Sequence, residues 1–467
     1  MASGRRPQER QQEMWVATAE LPKSAGHVFY RKLNELLAKV GFDPFVEQLC
    51  QPYYHATQGR PGIPAGTYFR MLLVGYFEGI GSQRGIAWRC ADSLSLRAFL
   101  GVPLTEDTPD HSSLTRVRDR LPLEVHTAVF QFVLQAAAEH GLLKGKTVAV
   151  DATTLEANAA MKSIVRRDTG EDWNEYLRRL MVEQGLIEPD AQPTAEELRR
   201  FDKKRKDKRV SNDEWVSKTD PDSRITKMKD GRTHLAYKAE NVIDVDTELV
   251  LAAEIYPANY ADTDTLVDSV LDAQENLEEA GLEVEIEEAV ADKGYHAAAT
   301  LELADGLNLR TYIPEPQYAH GRTWEDKTAN AQRVVTNNRR RLKTSKGKRL
   351  QRKRSERVER SFAHICETGG ARRTWLGGFD KVRKRYLMSA LARNLGLLMR
   401  VLFGIGTARS LQGEGKESGE AGGAAAFIYR AWLAMLIAAN RILARWAPLK
   451  LHPTHDSRFA RRLARAA

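Results

Sequence analysis

Two aspartates stand where short β-branched runs stop. In KTVAVDATTLEANA, residues 146–159, Asp151 follows TVAV; in VEIEEAVADKGYH, residues 284–296, Asp292 follows EEAVA. A single aspartate at a strand end is commonly a cap or turn former. Two of them on neighbouring parallel strands would face each other. Close carboxylates repel and raise each other's pKa unless a cation lies between them. An oxygen-only donor set selects a hard ion, Mg2+ or Mn2+. A pair of such ions suits in-line displacement at phosphate, one ion serving the attacking oxygen and the other the leaving oxygen. A third carboxylate is expected from RSERVERSFAHICE, residues 354–367. On a helix, Glu359, Phe362, Ala363 and Cys366 share one stripe, which puts Glu359 at the edge of a packed face. Glu356, one turn earlier, is the alternative. Thr153 is placed to brace Asp151, and Tyr295, with Lys293 and His296, to support the turn after Asp292. His111 reads as part of a helix-capping region, and Asp262 and Asp264 as caps of the helix that follows them.

A phosphate-directed site needs something to hold the polyanion. Residues 333–360 contain 13 Lys or Arg and 2 Glu, a surplus larger than the +9 of the whole chain. Charge concentrated in this way argues for a polyanionic partner more strongly than diffuse charge does. The candidate phosphate ligands are Arg339, Arg340, Arg341, Lys343, Lys348, Arg349, Arg352, Lys353 and Arg354, with Arg116 and Arg118 on a short helix upstream.

The elements that must position these groups follow from periodicity. Residues 27–140 read as helices; Phe69, Leu72, Leu73 and Tyr76, for example, recur at i, i+3, i+4 and i+7. From 145 to 404 the texture is α/β: a strand ending at Asp151, a charged insertion with helical pieces at 160–228, a hairpin of two strands joined by DTE, a helix closed by Gly281, the strand before Asp292, a fifth short strand LRTYIP, then the basic segment and a helix. Residues 1–26 read as a flexible polar and basic N-terminus, 405–423 as a Gly/Ser/Glu linker, and 424–467 as a last helix with a basic tail.

Bulk properties exclude several classes. Hydrophobic residues make up 42% and charged residues 28%, as in a globular protein, and the isoelectric point is about 9.3. Cys50, Cys90 and Cys366 are scattered, so neither a disulfide framework nor a Cys-based zinc site is expected. The N-terminus lacks an apolar signal core. Arg393 and Arg400 interrupt one C-terminal apolar stretch, and Arg430, Asn440 and Arg441 the other, so packed helices are expected and no membrane partner. A reducing, cytoplasmic setting fits.

Several stretches together resemble bacterial insertion-sequence transposases of the DDE type. VDATTLEANA resembles the family's first-Asp motif and ADKGYH the second, Asp-x-Gly-Tyr. VERSFAHICETGGARRTWLGG resembles the third, with Glu359 in the acidic position. FRMLLVGYFEGIGSQRGIAWRC and FLGVPLTEDTPDHSSLTRVRDRL resemble the helical domain that precedes such cores. The resemblance implies a ribonuclease-H-like α/β core with a mixed five-stranded sheet and flanking helices, behind an all-helical DNA-binding domain. It implies Asp151, Asp292 and Glu359 as catalytic metal ligands for two Mg2+ or Mn2+ ions. The implied reaction is cleavage at the element's ends, followed by attack of the 3′-hydroxyl on target DNA. The implied partners are double-stranded DNA, both terminal inverted repeats and target, and a second copy of the chain in a synaptic homodimer at the bacterial nucleoid. One departure is visible: anchored on Glu359, the family's Tyr, Arg and Lys positions hold Arg352, Ser355 and Cys366, and Arg354 supplies the arginine only if the spacing slips by one. A catalytically impaired DNA-binding descendant, or a nuclease without strand transfer, would share most of these features.

Overall fold

The computed structural model describes residues 16–408, apart from 18–19, 22–24, 56–61, 207–209, 229–230, 318–321 and 325–326. Most of the expected polar N-terminus, nearly all of the linker and the whole 424–467 helix and tail lie outside the described residues.

Among the described residues, seven α-helices come first: α1 (Ala25–Lys39), α2 (Phe42–Cys50), α3 (Ala65–Glu78), α4 (Gln83–Asp92), α5 (Leu94–Leu100), α6 (His111–Arg120) and α7 (Leu123–Glu139). Their boundaries are written locally. Gly79 and Gly101 end α3 and α5 in the left-handed conformation that only glycine adopts without strain. Ser82, Ser93 and Asp110 cap α4, α5 and α6 through their side-chain oxygens. His111 is the first residue of α6.

In the interior of this layer, His126 on α7 is fully buried. Its Nδ1 lies 3.0 Å from the Pro122 carbonyl and its Nε2 3.2 Å from the Tyr68 hydroxyl. Burial pushes its pKa down to about 4. The unfolded chain, with an ordinary histidine near 6.5, therefore binds a proton that the folded chain refuses. Stability should be fully present above pH 6.5 and fall as the pH drops toward 4. Between pH 7 and 5 this single group should cost about 2 kcal/mol. Urea denaturation of His126→Gln at the two pH values should show a pH dependence smaller by that amount.

The second part is built on β1 (Thr147–Glu156), β2 (Ile164–Arg166), α8 (Trp173–Glu183), α9 (Ala195–Lys204), β3 (Trp215–Ser217), β4 (Arg224–Lys227), β5 (Thr233–Asp244), β6 (Val250–Pro257), α10 (Asp262–Glu279), β7 (Glu288–Val290), α11 (Ala298–Gly306), β8 (Arg310–Tyr312), α12 (Ala329–Lys343), α13 (Ser345–Phe362) and α14 (Phe379–Phe403). The main sheet runs β6–β5–β1–β7–β8. β1 is antiparallel to β5 and parallel to β7; β5 and β6 form the antiparallel hairpin, and β7 and β8 are parallel. This is the mixed sheet of a ribonuclease-H-like core, with one addition to the five expected strands. β4 pairs with Thr233–Ala236 of β5, on the edge that β6 covers further along. The charged insertion is also not purely helical: β2 and β3 form a separate two-stranded sheet, and α8 and α9 close a small cluster around Leu177, Met181 and Leu198.

β1 corrects a second expectation. It does not stop at Asp151. The twelve-residue β5 pairs with it all the way from Val148↔Asp244 to Glu156↔Ala236. The parallel partner β7 is only three residues long, and its pairing ends at Ala149↔Val290. Asp151 is thus inside the strand on its β5 side and past the end of its neighbour on the other. That leaves a notch in the sheet beside it.

α14 ties the two parts into one core. Its length and apolar composition would allow it to cross a membrane, yet 72% of its most apolar window is buried inside the protein. It packs on α3 and α7 on one side and on β6 on the other. Asn394 fixes it there: its side chain accepts from Val250 N at 2.9 Å and donates to Val250 O at 2.8 Å. Asn394 is completely buried, so Asn394→Ala would strand two backbone groups away from water. A loss of about 2–4 kcal/mol is expected in urea denaturation.

Candidate active site

Two hydrogen bonds hold Asp151. Its Oδ1 accepts from Ala152 N at 2.9 Å, and its Oδ2 accepts from Arg354 Nη1 on α13 at 2.8 Å. Its partner in register on β5 is Asn241, which donates to Ser361 Oγ of the same helix and accepts from the Tyr386 hydroxyl on α14. Asp151 therefore faces α13, lodged between the sheet and that helix. Burial pushes its pKa up to about 6; Arg354 opposes that shift and the charge of Asp292 adds to it.

Asp292 sits two residues past β7, at the head of a short turn where its Oδ1 accepts from Gly294 N at 2.7 Å. Two carboxylates crowd Gly294. A Cβ there would lie 3.0 Å from Asp292 Oδ1 and 2.7 Å from Asp262 Oδ2. Asp262 thus approaches the same turn. It was expected as a helix cap, but the cap position of α10 is Ala261, which makes no side-chain bond, and Asp262 and Asp264 lie within the first turn. There Asp262 Oδ1 pairs with the buried Lys238 Nζ at 2.8 Å.

Lys238 belongs to a charged layer under the turn. Its Nζ donates to Thr265 Oγ1 at 2.8 Å and lies 3.3 Å from Glu240 Oε2, which also accepts from Thr265 Oγ1 and from the Tyr295 hydroxyl. Tyr295 therefore braces Glu240, not Asp292. Thr153 is buried on β1 two residues beyond Asp151, on the same face of the strand. His296 is buried and Lys293 exposed. Lys238 and Glu240 were missed in the sequence. The available signal was two opposite charges, two residues apart, in the middle of a strand-forming stretch, residues 233–244.

The third carboxylate does not lie on a packed stripe. The buried face of α13 is formed by Gly347, Leu350, Val358, Ser361 and Phe362. Glu359 is one position round from Val358 and exposed, with Ser355 Oγ donating to it at 3.4 Å. After Phe362 the helix widens into a π-helical turn, Ala363–Thr368, so the expected alignment with Ala363 and Cys366 is broken: Cys366 is buried and Ala363 exposed. Two turns earlier on α13, the Gln351 amide donates to the Ala291 carbonyl at 3.1 Å, one residue before Asp292. Glu356 points further from the sheet and pairs with Arg360. Among the described residues, no three His, Cys, Asp or Glu side chains come close enough together to hold a metal ion.

The basic residues divide in two. Arg116, Arg340, Lys343, Lys348, Arg349 and Arg352 are exposed. The others are engaged within the protein. Arg339 pairs with Glu315 at 2.7 Å and Lys353 with Asp246 at 2.8 Å. Arg341 bonds Thr311, Arg118 is buried, and Arg354 holds Asp151. The cause is the helical period: on an amphipathic helix some of an evenly charged run must turn inward. α12 is clamped by Asn338, which bonds both backbone groups of Ile313.

The arrangement can present two neighbouring carboxylates at a notch, with a guanidinium between one of them and the helix that carries further cations. Two known families match the chain. Residues 18–120 match the family described as "Transposase domain (DUF772)", and residues 144–395 match "Transposase DDE domain". No curated protein matches the chain. The second match spans more than half of the chain and includes Asp151, Asp292 and Glu359: the protein is a member of the transposase DDE domain family.

Proposed function

We propose that this transposase cuts DNA at the ends of a mobile element and joins the freed 3′-hydroxyl to target DNA, with Asp151, Asp292 and Glu359 as its acidic centre. The observation that carries the reading is the notch beyond Ala149↔Val290, where Asp151 and Asp292 come within electrostatic reach of each other. The donors suit a hard cation: they are all oxygens, and a desolvated carboxylate beside a second one is stabilised by positive charge. Asp151 and Asp292 would hold a pair of Mg2+ or Mn2+ ions. Glu359 is preferred to Glu356 as the third ligand because it is adjacent to the buried Val358, whereas Glu356 is 61% exposed and engaged with Arg360. A divalent ion bound there supplies Lewis-acid stabilisation of charge developing on phosphate oxygens.

The chain's own groups do the rest. Arg354 neutralises Asp151 and fixes the register of α13 against β1. Gln351 ties that helix to the ends of β7 and β8. Arg340, Lys343, Lys348, Arg349 and Arg352 face outward and would hold the DNA backbone without regard to sequence. Residues 27–140 would recognise the element's ends and 145–404 carry the chemistry. Because two ends are joined, a homodimer is the working assembly.

Nicking of DNA that carries the gene's own flanking repeats tests the reading. Strand cleavage is expected with Mg2+ or Mn2+ and none with EDTA. Specific binding of those ends without nicking in either metal would instead show a DNA-binding descendant.

A further inference from the structure

A second site is built away from the carboxylates. A cavity of about 320 Å3 lies between α3, α4, α6, α7 and α14 and the loop at 369–376. Three cations line it, Arg118, Lys384 and Arg385, and among the described residues no carboxylate does. Arg118 is 7% exposed; its Nε reaches Asp119 at 3.3 Å, while its Nη1 is buried with no hydrogen-bond partner. A buried guanidinium with one nitrogen unpaired is poorly neutralised, and an anionic oxygen in the cavity that Arg118 lines would offset its charge. Arg385 donates only to main-chain oxygens, those of Gly370 at 2.8 Å and Arg373 at 3.2 Å. Lys384 pairs with Asp380, which is outside the cavity wall. The rest of the wall mixes polar side chains, among them His126 and Ser389, with apolar and aromatic ones, including Tyr76 inside and Trp375, 53% exposed, near the opening. Gln83 and Thr115, bonded to each other at 2.6 Å, supply hydrogen-bonding groups.

We propose that this cavity binds a nucleoside monophosphate unit, with its phosphate on Arg118 and its base against Trp375 and Tyr76. Phosphate alone would satisfy the cations but leave most of the volume and the aromatic wall unused. An uncharged aromatic ligand would leave Arg118 unpaired. The volume is at the lower end of the range of small-ligand pockets. The position is consistent with a nucleic-acid substrate. The loop at 369–376 is hydrogen-bonded to Glu156 at the end of β1, through Thr374 N and Arg372 O, and Glu156 is five residues, or about 16 Å, along the strand from Asp151. The unit could be a residue of a DNA strand or a free nucleotide; only the first source rests on the DNA-cutting reading above.

Isothermal titration of the full chain with the four deoxynucleoside 5′-monophosphates, the matching nucleosides and inorganic phosphate tests the site. At least one monophosphate should bind with a Kd below about 1 mM, and its nucleoside and inorganic phosphate each at least about 10-fold more weakly. Arg118→Gln should weaken the monophosphate at least about 10-fold. Because Arg118 is buried, Trp375→Leu, at a half-exposed position, provides a second test that does not threaten folding; several-fold weaker binding is expected. No binding of any monophosphate at 10-fold above that concentration, equal binding in both variants, or phosphate binding as tightly as the nucleotide would overturn the proposal. Displacement of the nucleotide by a DNA oligonucleotide with a single-stranded end would identify the strand as the source, and simultaneous binding would identify a free nucleotide. Asp151→Asn should retain nucleotide binding, so failure of the cleavage reading and failure of this site are separable.

Discussion

Asp151→Asn should abolish strand cleavage in Mg2+ and leave metal-free DNA binding intact. The substitution keeps the size of the side chain, and its carbonyl can still accept from Arg354, whose Nη1 lies 2.8 Å from Asp151 Oδ2. What disappears is the negative charge beside Asp292. Lewis-acid stabilisation at phosphate is worth several kcal/mol, so cleavage should fall by about 10^3-fold or more. DNA affinity should be unchanged or slightly higher, since a charge that repels phosphate has been removed. Gel-shift and nicking assays on the same preparation separate the two effects. Glu359→Gln should behave like Asp151→Asn, whereas Glu356→Gln should be near neutral because Glu356 is exposed and engaged with Arg360. Full cleavage by Asp151→Asn would remove the basis of the catalytic assignment. The reverse result for the two glutamates would exchange their roles.

The second large effect is expected on binding. Neutralising Arg340, Lys343, Lys348 and Arg349 together should weaken binding to every DNA alike. Four lost phosphate contacts should flatten the slope of log K against log salt by about 3–4 and cost about 10^2-fold or more in affinity at moderate salt. These four side chains are exposed, so folding should be unaffected. Arg341→Gln is the internal contrast. Arg341 spends its guanidinium on Thr311 in the interior, so its loss should lower the melting temperature and leave the salt slope in place. A quadruple variant that lost binding to one sequence only would show base readout by this surface.

Much of the architecture was legible in the sequence because it is written in local periodicity. The helical N-terminal part, the β5–β6 hairpin, α10 and the basic helices follow from 3.6- and 2-residue patterns with glycine and proline punctuation. The motifs around Asp151, Asp292 and Glu359 pointed to the family, and the fold agrees with it. The tertiary structure decided what depends on pairing and packing between distant segments. Asp151 reads locally as a strand end; only the mismatch between twelve-residue β5 and three-residue β7 shows that it lies within β1, beside an open notch. A run of like charges carries no label for its buried members. Contacts 30 to 203 residues apart in sequence turned Arg341 onto Thr311 and Arg354 onto Asp151. Glu359 and Cys366 parted company because a π-turn changed the angular spacing after Phe362, which no helical wheel anticipates. Lys238 and Glu240 became a buried network only when α10 and the turn after Asp292 closed over them, since burial is a property of the assembled layers and not of the strand that carries the charges.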